Sequence, residues 1–485
     1  MRKLQFLLKD VRALKINGSV HVELSGLSID SRKVKTQGAF IAIKGTSTDG
    51  HLYIDQAIQN GAVAIICESI PDNLKSEVTY VVVENAAAVA GIMASAWYDE
   101  PSRHMKVIGV TGTNGKTTTT TLLFDMFKSL GNVAGLISTV EVRIDTDVLP
   151  ATHTTPDPMS LQEILSKMRQ RDCTVVFMEV SSHAIDQSRI AGIVFVGGIF
   201  TNISHDHLDY HKTFANYIEA KKKFFDHLPS DAFAIVNIDD KRGEVMVQNT
   251  FARVRRFALK RIADYQAKLL DDTVMGLHLE VDDVELFTQI SGEFNAYNLL
   301  AAYACAMELG IGKQEALVAL SQLKGAEGRF EAIKDPVSQV TFIVDYAHTP
   351  DALEKVIATA NKMKSKGARI IVVVGCGGDR DKTKRPVMGK IALQGEGLAI
   401  FTADNPRSEN AEDIIEDMKA NLMSEDLKRL LTIPDRKVAI QTARQIARPN
   451  DIVIVAGKGH EKYQEINGVK HPFDDKDVIK KLIEP

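Results

Sequence analysis

The stretch VIGVTGTNGKTTTTTLLFDMF, residues 107–127, decides how this chain is read. A continuous apolar run leads into a glycine-containing turn. Lys116 and Thr117 follow, then a segment with apolar residues at 122, 123, 126 and 127, the spacing of one helical face. Gly112 and Gly115 let the backbone turn its N–H groups toward an anion, and the helix N-terminus behind them adds partial positive charge. Lys116 can bridge terminal phosphates, and the Thr117 hydroxyl can ligate Mg²⁺. The longer spacing GxxxxGKT is not met, because Val110 occupies its first glycine position; the loop is the shorter TGTNGKTT at 111–118.

Outward from this loop, the chain alternates strands and helices. Apolar runs at 175–180, 193–200 and 233–237 follow the first strand, and others at 341–346, 369–374, 398–403 and 451–456 form a later group. Continuous apolar strands separated by helices predict a parallel sheet covered on both faces. Shorter runs at 40–43, 63–66 and 80–83 predict a small α/β domain before the loop. The fold class expected is α/β in three domains. These are a small α/β domain at 1–101, a central phosphate-loop domain with a mostly parallel sheet at 102–332, and a Rossmann-like sheet at 333–485. The turn Glu100–Pro101–Ser102 is the clearest punctuation.

The chain has 485 residues, 45% apolar and 25% charged, with a formal net charge of −4. That balance excludes a nucleic-acid-coating protein, whose domain would be basic. Any anion must therefore be held by local groups. The four cysteines, Cys67, Cys173, Cys305 and Cys376, lie far apart and read as reduced thiols. The N-terminus mixes charges into its apolar residues, and the longest apolar stretch, 86–97, is too short to span a bilayer. A cytoplasmic protein with no membrane partner is expected.

Two clusters carry further chemistry. Glu179 ends a predicted strand, where open α/β sheets place ligands. The segment TNISHDHLDYH at 201–211 follows the next strand and gathers acids and imidazoles suited to Mg²⁺ and phosphate. In YIEAKKKFF at 217–225, Tyr217, Lys221, Phe224 and Phe225 fall on one helical face, although a basic run alone reads as solvated. In the last domain GCGGDRDK, TADNPRSEN and AGKGHE each follow a strand, so three polar loops share the carboxyl end of one sheet.

Together TGTNGKTT, EVSSH at 179–183, DHLDYH at 206–211, GEFNAYNLLAA at 292–302, GRFE at 328–331 and DYAHTPD at 345–351 resemble the Mur ligases, in the same order along nearly the whole chain. These enzymes extend the peptide stem of the cell-wall precursor by ATP-dependent amide formation. The third-domain motifs resemble the branch that adds the third residue. The resemblance implies ATP and Mg²⁺, with UDP-N-acetylmuramoyl-L-alanyl-D-glutamate and meso-diaminopimelate as small-molecule substrates of a monomer. It implies that Gly112, Thr113, Asn114, Gly115, Lys116, Thr117 and Thr118 hold the ATP phosphates, with Asn298, Arg329 and Asp345 on the base and ribose. Thr117, Glu179 and His207 would ligate metal, and Lys221 would join them as a carbamate (N6-carboxylysine), an anion in place of an ammonium. Ser31, Thr46, Ser47 and Thr48 would bind the uridine diphosphate, and Thr154, Thr155, Ser181, Gln187 and Arg189 the muramyl-dipeptide arm. Arg385, Asp404, Asn405, Pro406, Arg407, Gly457 and Glu461 would bind diaminopimelate. There Arg407 can clamp the distal carboxylate that lysine lacks, Arg385 gives a second carboxylate partner, and Asp404 and Glu461 can take an ammonium.

For the group that deprotonates the amine, Asp209, His207, His348 and solvent stay open. So do a lysine-adding relative, a folylpolyglutamate synthase-like ligase and, in another class, a nucleotide switch that hydrolyses ATP without joining anything.

Overall fold

The computed structural model describes residues 1–45, 48–151 and 154–483, the side chain of Asp209 excepted. Thr46, Ser47 and the Asp209 side chain thus lie outside the described residues. Three large sheets follow one another along the described residues, with two further two-stranded sheets beside them. The first has five strands in the order Ala13–Asn17, Thr79–Val83, Ala62–Cys67, Gly38–Ile41 and Leu27–Ser28; all neighbours are parallel except the first pair.

The central sheet has eleven strands, with Lys106–Thr111 between Val175–Glu179 and Gly197–Phe200. Its middle, from Ala134–Ile137 to Tyr265–Thr273, is parallel as expected. Both ends are antiparallel hairpins, Glu141–Ile144 with Asp147–Pro150 on one side and Tyr265–Thr273, Gly276–Val281 and Val284–Phe287 on the other. The third sheet begins at Glu331–Lys334, so the expected boundary at 332 falls inside its first strand. Its parallel strands Ile452–Ala456, Ile370–Val374 and Leu398–Phe401 are adjacent in that order. The three polar loops that follow them therefore lie side by side.

The helix Lys116–Ser129 forms against local preference. Five consecutive threonines, β-branched and poor helix formers, make up its first turns. All five are buried, and the Thr120 hydroxyl bonds back to the carbonyls of Lys116 and Thr117. Packing on the helix Glu293–Glu308 and on the sheet decides the outcome. The helix Phe214–Asp226 buries Tyr217, Lys221, Phe224 and Phe225 together, as its period predicts. All four cysteines are buried free thiols. No helix among the described residues is long and apolar enough to cross a membrane.

Candidate active site

The phosphate loop opens at the carboxyl end of Lys106–Thr111. Gly112 (φ 153°) and Gly115 (φ 85°) hold backbone conformations that L side chains rarely adopt. A Cβ at Gly112 would collide with the Thr201 hydroxyl, and one at Gly115 with the Asn298 amide oxygen. Lys116 Nζ donates to the carbonyls of Gly112 and Thr113, 2.9 Å each, which sets the ammonium over the mouth of the loop. Desolvation lowers its pKa, opposed by the charges of Glu179 and Asp206. Arg329 Nη2 donates to Thr117 Oγ1 at 3.1 Å, and its guanidinium lies over the Tyr346 ring at 4.6 Å.

Glu179 is fully buried at its strand end. Its carboxylate accepts from the Thr139 N–H at 2.8 Å and the Thr139 hydroxyl at 3.1 Å. His207 has a left-handed backbone (φ 52°), and its ring packs edge-on against His183. Desolvation pulls this imidazole down to about 4, with Asp206 opposing and Lys116 and Lys221 adding to the fall. It is neutral at pH 7 and keeps a lone pair.

Lys221 is 1% exposed. Its Nζ donates to the same Gly112 carbonyl at 2.9 Å and lies 4.8 Å from the Tyr217 ring centre. Burial, with Lys116 beside it, holds its pKa well below the ordinary lysine value. Both causes favour the neutral amine over the ammonium.

Two expected nucleotide contacts sit deeper than the reading placed them. Asn298 is buried beneath the loop, where its Oδ1 accepts from the Thr119 hydroxyl and its Nδ2 donates to Asn295. Asp345 is buried and accepts from the Phe330 N–H at 2.7 Å, which fixes the turn carrying Arg329. Burial pushes the Asp345 carboxyl up to about 6. In the unfolded chain it ionises at about 4. Between about pH 4 and 6 the folded state therefore binds the extra proton, and stability falls as pH rises. Asp345→Asn keeps an acceptor for Phe330. It is expected to remove that slope and raise stability at pH 8 by about 2 kcal/mol. Thermal melts at pH 5 and pH 8 check this; a variant less stable than the parent at pH 8 contradicts it.

A cleft of about 1310 Å³ separates the first domain from the central one. Ser31 and Thr48 line one wall, and Gln187, Arg189 and Tyr210 the other. Ser31 Oγ donates to Gln56 at 2.7 Å. Arg189 donates to Gln187 Oε1 through two nitrogens and to the Thr155 carbonyl at 2.9 Å. Thr155 is buried and ties the Glu179 carbonyl to the Ser181 N–H, so it braces the wall rather than lining it. Thr154 and Ser181 line a second cleft, of about 560 Å³, with the phosphate loop, Glu179 and His207.

That second cleft continues into the third domain, where Asp404, Asn405, Arg407, Gly457 and Glu461 complete it. Arg407 Nη1 donates to the Gly378 carbonyl at 2.6 Å, which joins two of the three loops. Asn405 Nδ2 donates to Glu461 Oε2 at 2.7 Å. Arg385 needs correction. Its side chain is fully buried, and its charge is taken by Glu409 and Asp417 at 2.8 Å each. Arg380, in the same segment, lines the cleft instead, with Lys384. Pro406 lines a separate hollow behind the loop, so it shapes the backbone and does not face the cleft.

Sequence reasoning missed three further residues. Asp351 Oδ2 accepts from Asn114 and Ser204, at 2.9 and 3.0 Å, and so binds the third domain to the phosphate loop. It lay inside DYAHTPD, as Lys458 lay inside AGKGHE. Thr139, which holds Glu179, stood in no motif.

The family description "Mur ligase middle domain" matches residues 110–306, "Mur ligase, glutamate ligase domain" matches 328–459, and "Mur ligase family, catalytic domain" matches 23–98. A protein of Cytophaga hutchinsonii named UDP-N-acetylmuramoyl-L-alanyl-D-glutamate--2,6-diaminopimelate ligase is 50% identical over 479 residues, 99% of this chain and 98% of its own. One of the same name from Phocaeicola vulgatus is 48% identical over 480 residues, 99% of both chains. A solved structure of a ligase of that name superposes with a TM-score of 0.70 at 33% identity, covering 99% of this chain and 98% of the other.

Proposed function

Since this chain belongs to the Mur ligase family, we propose that it joins 2,6-diaminopimelate to the D-glutamate side-chain carboxylate of UDP-N-acetylmuramoyl-L-alanyl-D-glutamate, at the expense of ATP. It is an amide-forming ligase of peptidoglycan precursor synthesis. The observation that carries the reading is one cleft that holds the phosphate loop, Glu179 and His207 on one wall and Asp404, Arg407 and Glu461 on the other. A nucleotide switch has no use for the second wall. We take the enzyme to act as a cytoplasmic monomer.

The donor set fits Mg²⁺. Among the described residues no group of three or more His, Cys, Asp or Glu side chains forms an all-protein cage. Mg²⁺ generally keeps its waters and binds through one or two carboxylates plus substrate phosphates. Thr117 and Glu179 supply hard oxygens beside the loop, and His207 a neutral imidazole. Lys221, buried beside the loop, is the residue we expect to carry CO₂ as a carbamate. The bound ion would neutralise charge on the transferring phosphate.

The chain's own groups then act in order. Loop amides and Lys116 hold the β- and γ-phosphates and offset the charge developing there. The D-glutamate carboxylate attacks the γ-phosphorus, ADP leaves, and an acyl phosphate forms. Arg407 and Arg380 hold the distal carboxylate of diaminopimelate and aim its free amine at the acyl carbon. Attack gives a tetrahedral intermediate, phosphate leaves, and one proton is lost to a base. The three domains close off the acyl phosphate from water.

This route moves one carboxylate oxygen into phosphate. Substrate labelled with oxygen-18 in the D-glutamate side chain is expected to release labelled phosphate in step with amide formation. Unlabelled phosphate would overturn the acyl-phosphate reading. Arg407→Ala is expected to raise KM for diaminopimelate about 100-fold while that for ATP stays within about twofold, because a charged hydrogen bond is lost at one substrate only. Steady-state kinetics with each substrate varied in turn would show it; equal rises in both constants would argue against the assignment.

A further inference from the structure

Lys458 does not line the cleft, and no expectation assigned it a role. Its side chain is fully buried beneath the three loops. Nζ lies 3.0 Å from Asn405 Oδ1, 3.0 Å from Glu461 Oε2 and 3.7 Å from Asp404 Oδ1. It thus touches three of the residues placed around the incoming amino acid. The Asn405 oxygen takes this ammonium and the Glu465 N–H, which leaves Asn405 Nδ2 to donate to Glu461. Arg436, another buried cation whose charge Asp404 and Glu461 feel, is already matched by Asp475 at 2.7 Å through two nitrogens.

We propose that Lys458 is a positioning residue that sets the charge of the distal amino-acid pocket, and so selects a zwitterionic ammonium–carboxylate end over a bare ammonium. Asp404 and Glu461 carry two negative charges; with Lys458 they sum to one. One remaining negative charge answers one substrate ammonium, and Arg407 and Arg380 answer the carboxylate. Without Lys458 the two acids repel each other and demand a second cation, a demand that lysine, with no distal carboxylate, opposes less than diaminopimelate does. Its contact with Asn405 also locks the side-chain geometry of the loop.

The inference rests on the ligase reading above. Its test uses the full chain with ATP, UDP-muramyl dipeptide and either diaminopimelate or lysine. Failure of the unmutated enzyme to join either amino acid would sink the ligase reading itself. Given that activity, Lys458→Met is expected to raise KM for diaminopimelate at least about tenfold, with KM for ATP within about twofold. The ratio of kcat/KM for diaminopimelate over lysine should fall at least about tenfold. General loosening would lower both amino acids alike and leave the ratio unchanged, which overturns the proposal. The double variant Lys458→Met/Glu461→Gln removes the 3.0 Å pair together and leaves Asp404 as the one charge of the three. The three groups sum to zero in Glu461→Gln and to one negative charge again in the double variant, so KM for diaminopimelate in the double variant should lie at least about threefold below that of Glu461→Gln. That comparison stands even where Lys458→Met does not fold. A KM in the double variant equal to or above that of Glu461→Gln would refute the charge-setting role.

Discussion

Lys116→Ala is expected to lower product formation at least about a thousandfold, because it removes the ammonium held over the phosphate loop, where negative charge would develop. The fold should survive the change. Among the described residues Lys116 Nζ donates to the carbonyls of Gly112 and Thr113; when the ammonium goes, Lys221 still donates to Gly112, and Thr113 lines the cleft, where water can replace the bond. The stability cost is about 1 kcal/mol or less. A full melt with catalysis gone separates loss of chemistry from loss of structure. Loss of kcat should exceed the rise in KM for ATP, since loop amides and the helix N-terminus still hold the nucleotide in the ground state. A variant that melts normally and joins its substrates within tenfold of the parent rate would remove the phosphate loop from the account.

Lys221→Ala should cost about a thousandfold as well, for the opposite electrostatic reason. As an ammonium, Lys221 would set a second positive charge on the Gly112 carbonyl that Lys116 already uses. As a carbamate it would reverse sign and would help to hold Mg²⁺. Carbamate formation needs a neutral amine, and burial with Lys116 alongside shifts Lys221 toward that form by lowering its pKa. Carbon-13 bicarbonate should therefore give the parent enzyme a carbamate resonance that Lys221→Ala lacks. Formate, small enough for the space left by the side chain, should restore part of the activity by returning a carboxylate to the same place. Lys221→Ala with near-parent activity, or a parent with no such resonance, would return Lys221 to the status of a buried structural amine.

How much of this was legible in the sequence follows the physics of each element. Lys106–Thr111 was readable because a strand buried on both faces must be apolar throughout. The Tyr217–Lys221–Phe224–Phe225 face was readable because 3.6 residues per turn leaves few ways to place them. The hairpin strands at the ends of the central sheet were not. Asp147–Pro150 is exposed at every position and carries no hydrophobic pattern to detect. At the site, residue types told more than depth. Asn298 and Asp345 are polar residues in recognisable motifs, yet packing puts them under the loop and the Arg329 turn. The Arg380–Arg385 confusion has the same origin. The two arginines sit five residues apart, and the start of the helix Lys384–Ala392 turns Arg385 inward to Glu409 and Asp417. Thr139 could not have been found, since one of its bonds to Glu179 comes from a backbone N–H that any residue possesses and its hydroxyl stands in no motif.

The central claim is that one cleft activates a carboxylate with ATP and presents it to an amino acid recognised at both ends. Product mass tests it most directly, with enzyme, ATP, Mg²⁺, UDP-N-acetylmuramoyl-L-alanyl-D-glutamate and either diaminopimelate or lysine at equal concentration. The account predicts a product equal to the two joined substrates less one water with diaminopimelate, one ADP formed per product, and about 1% or less of that yield with lysine. ADP released with no joined product, or equal yields from the two amino acids, would contradict it.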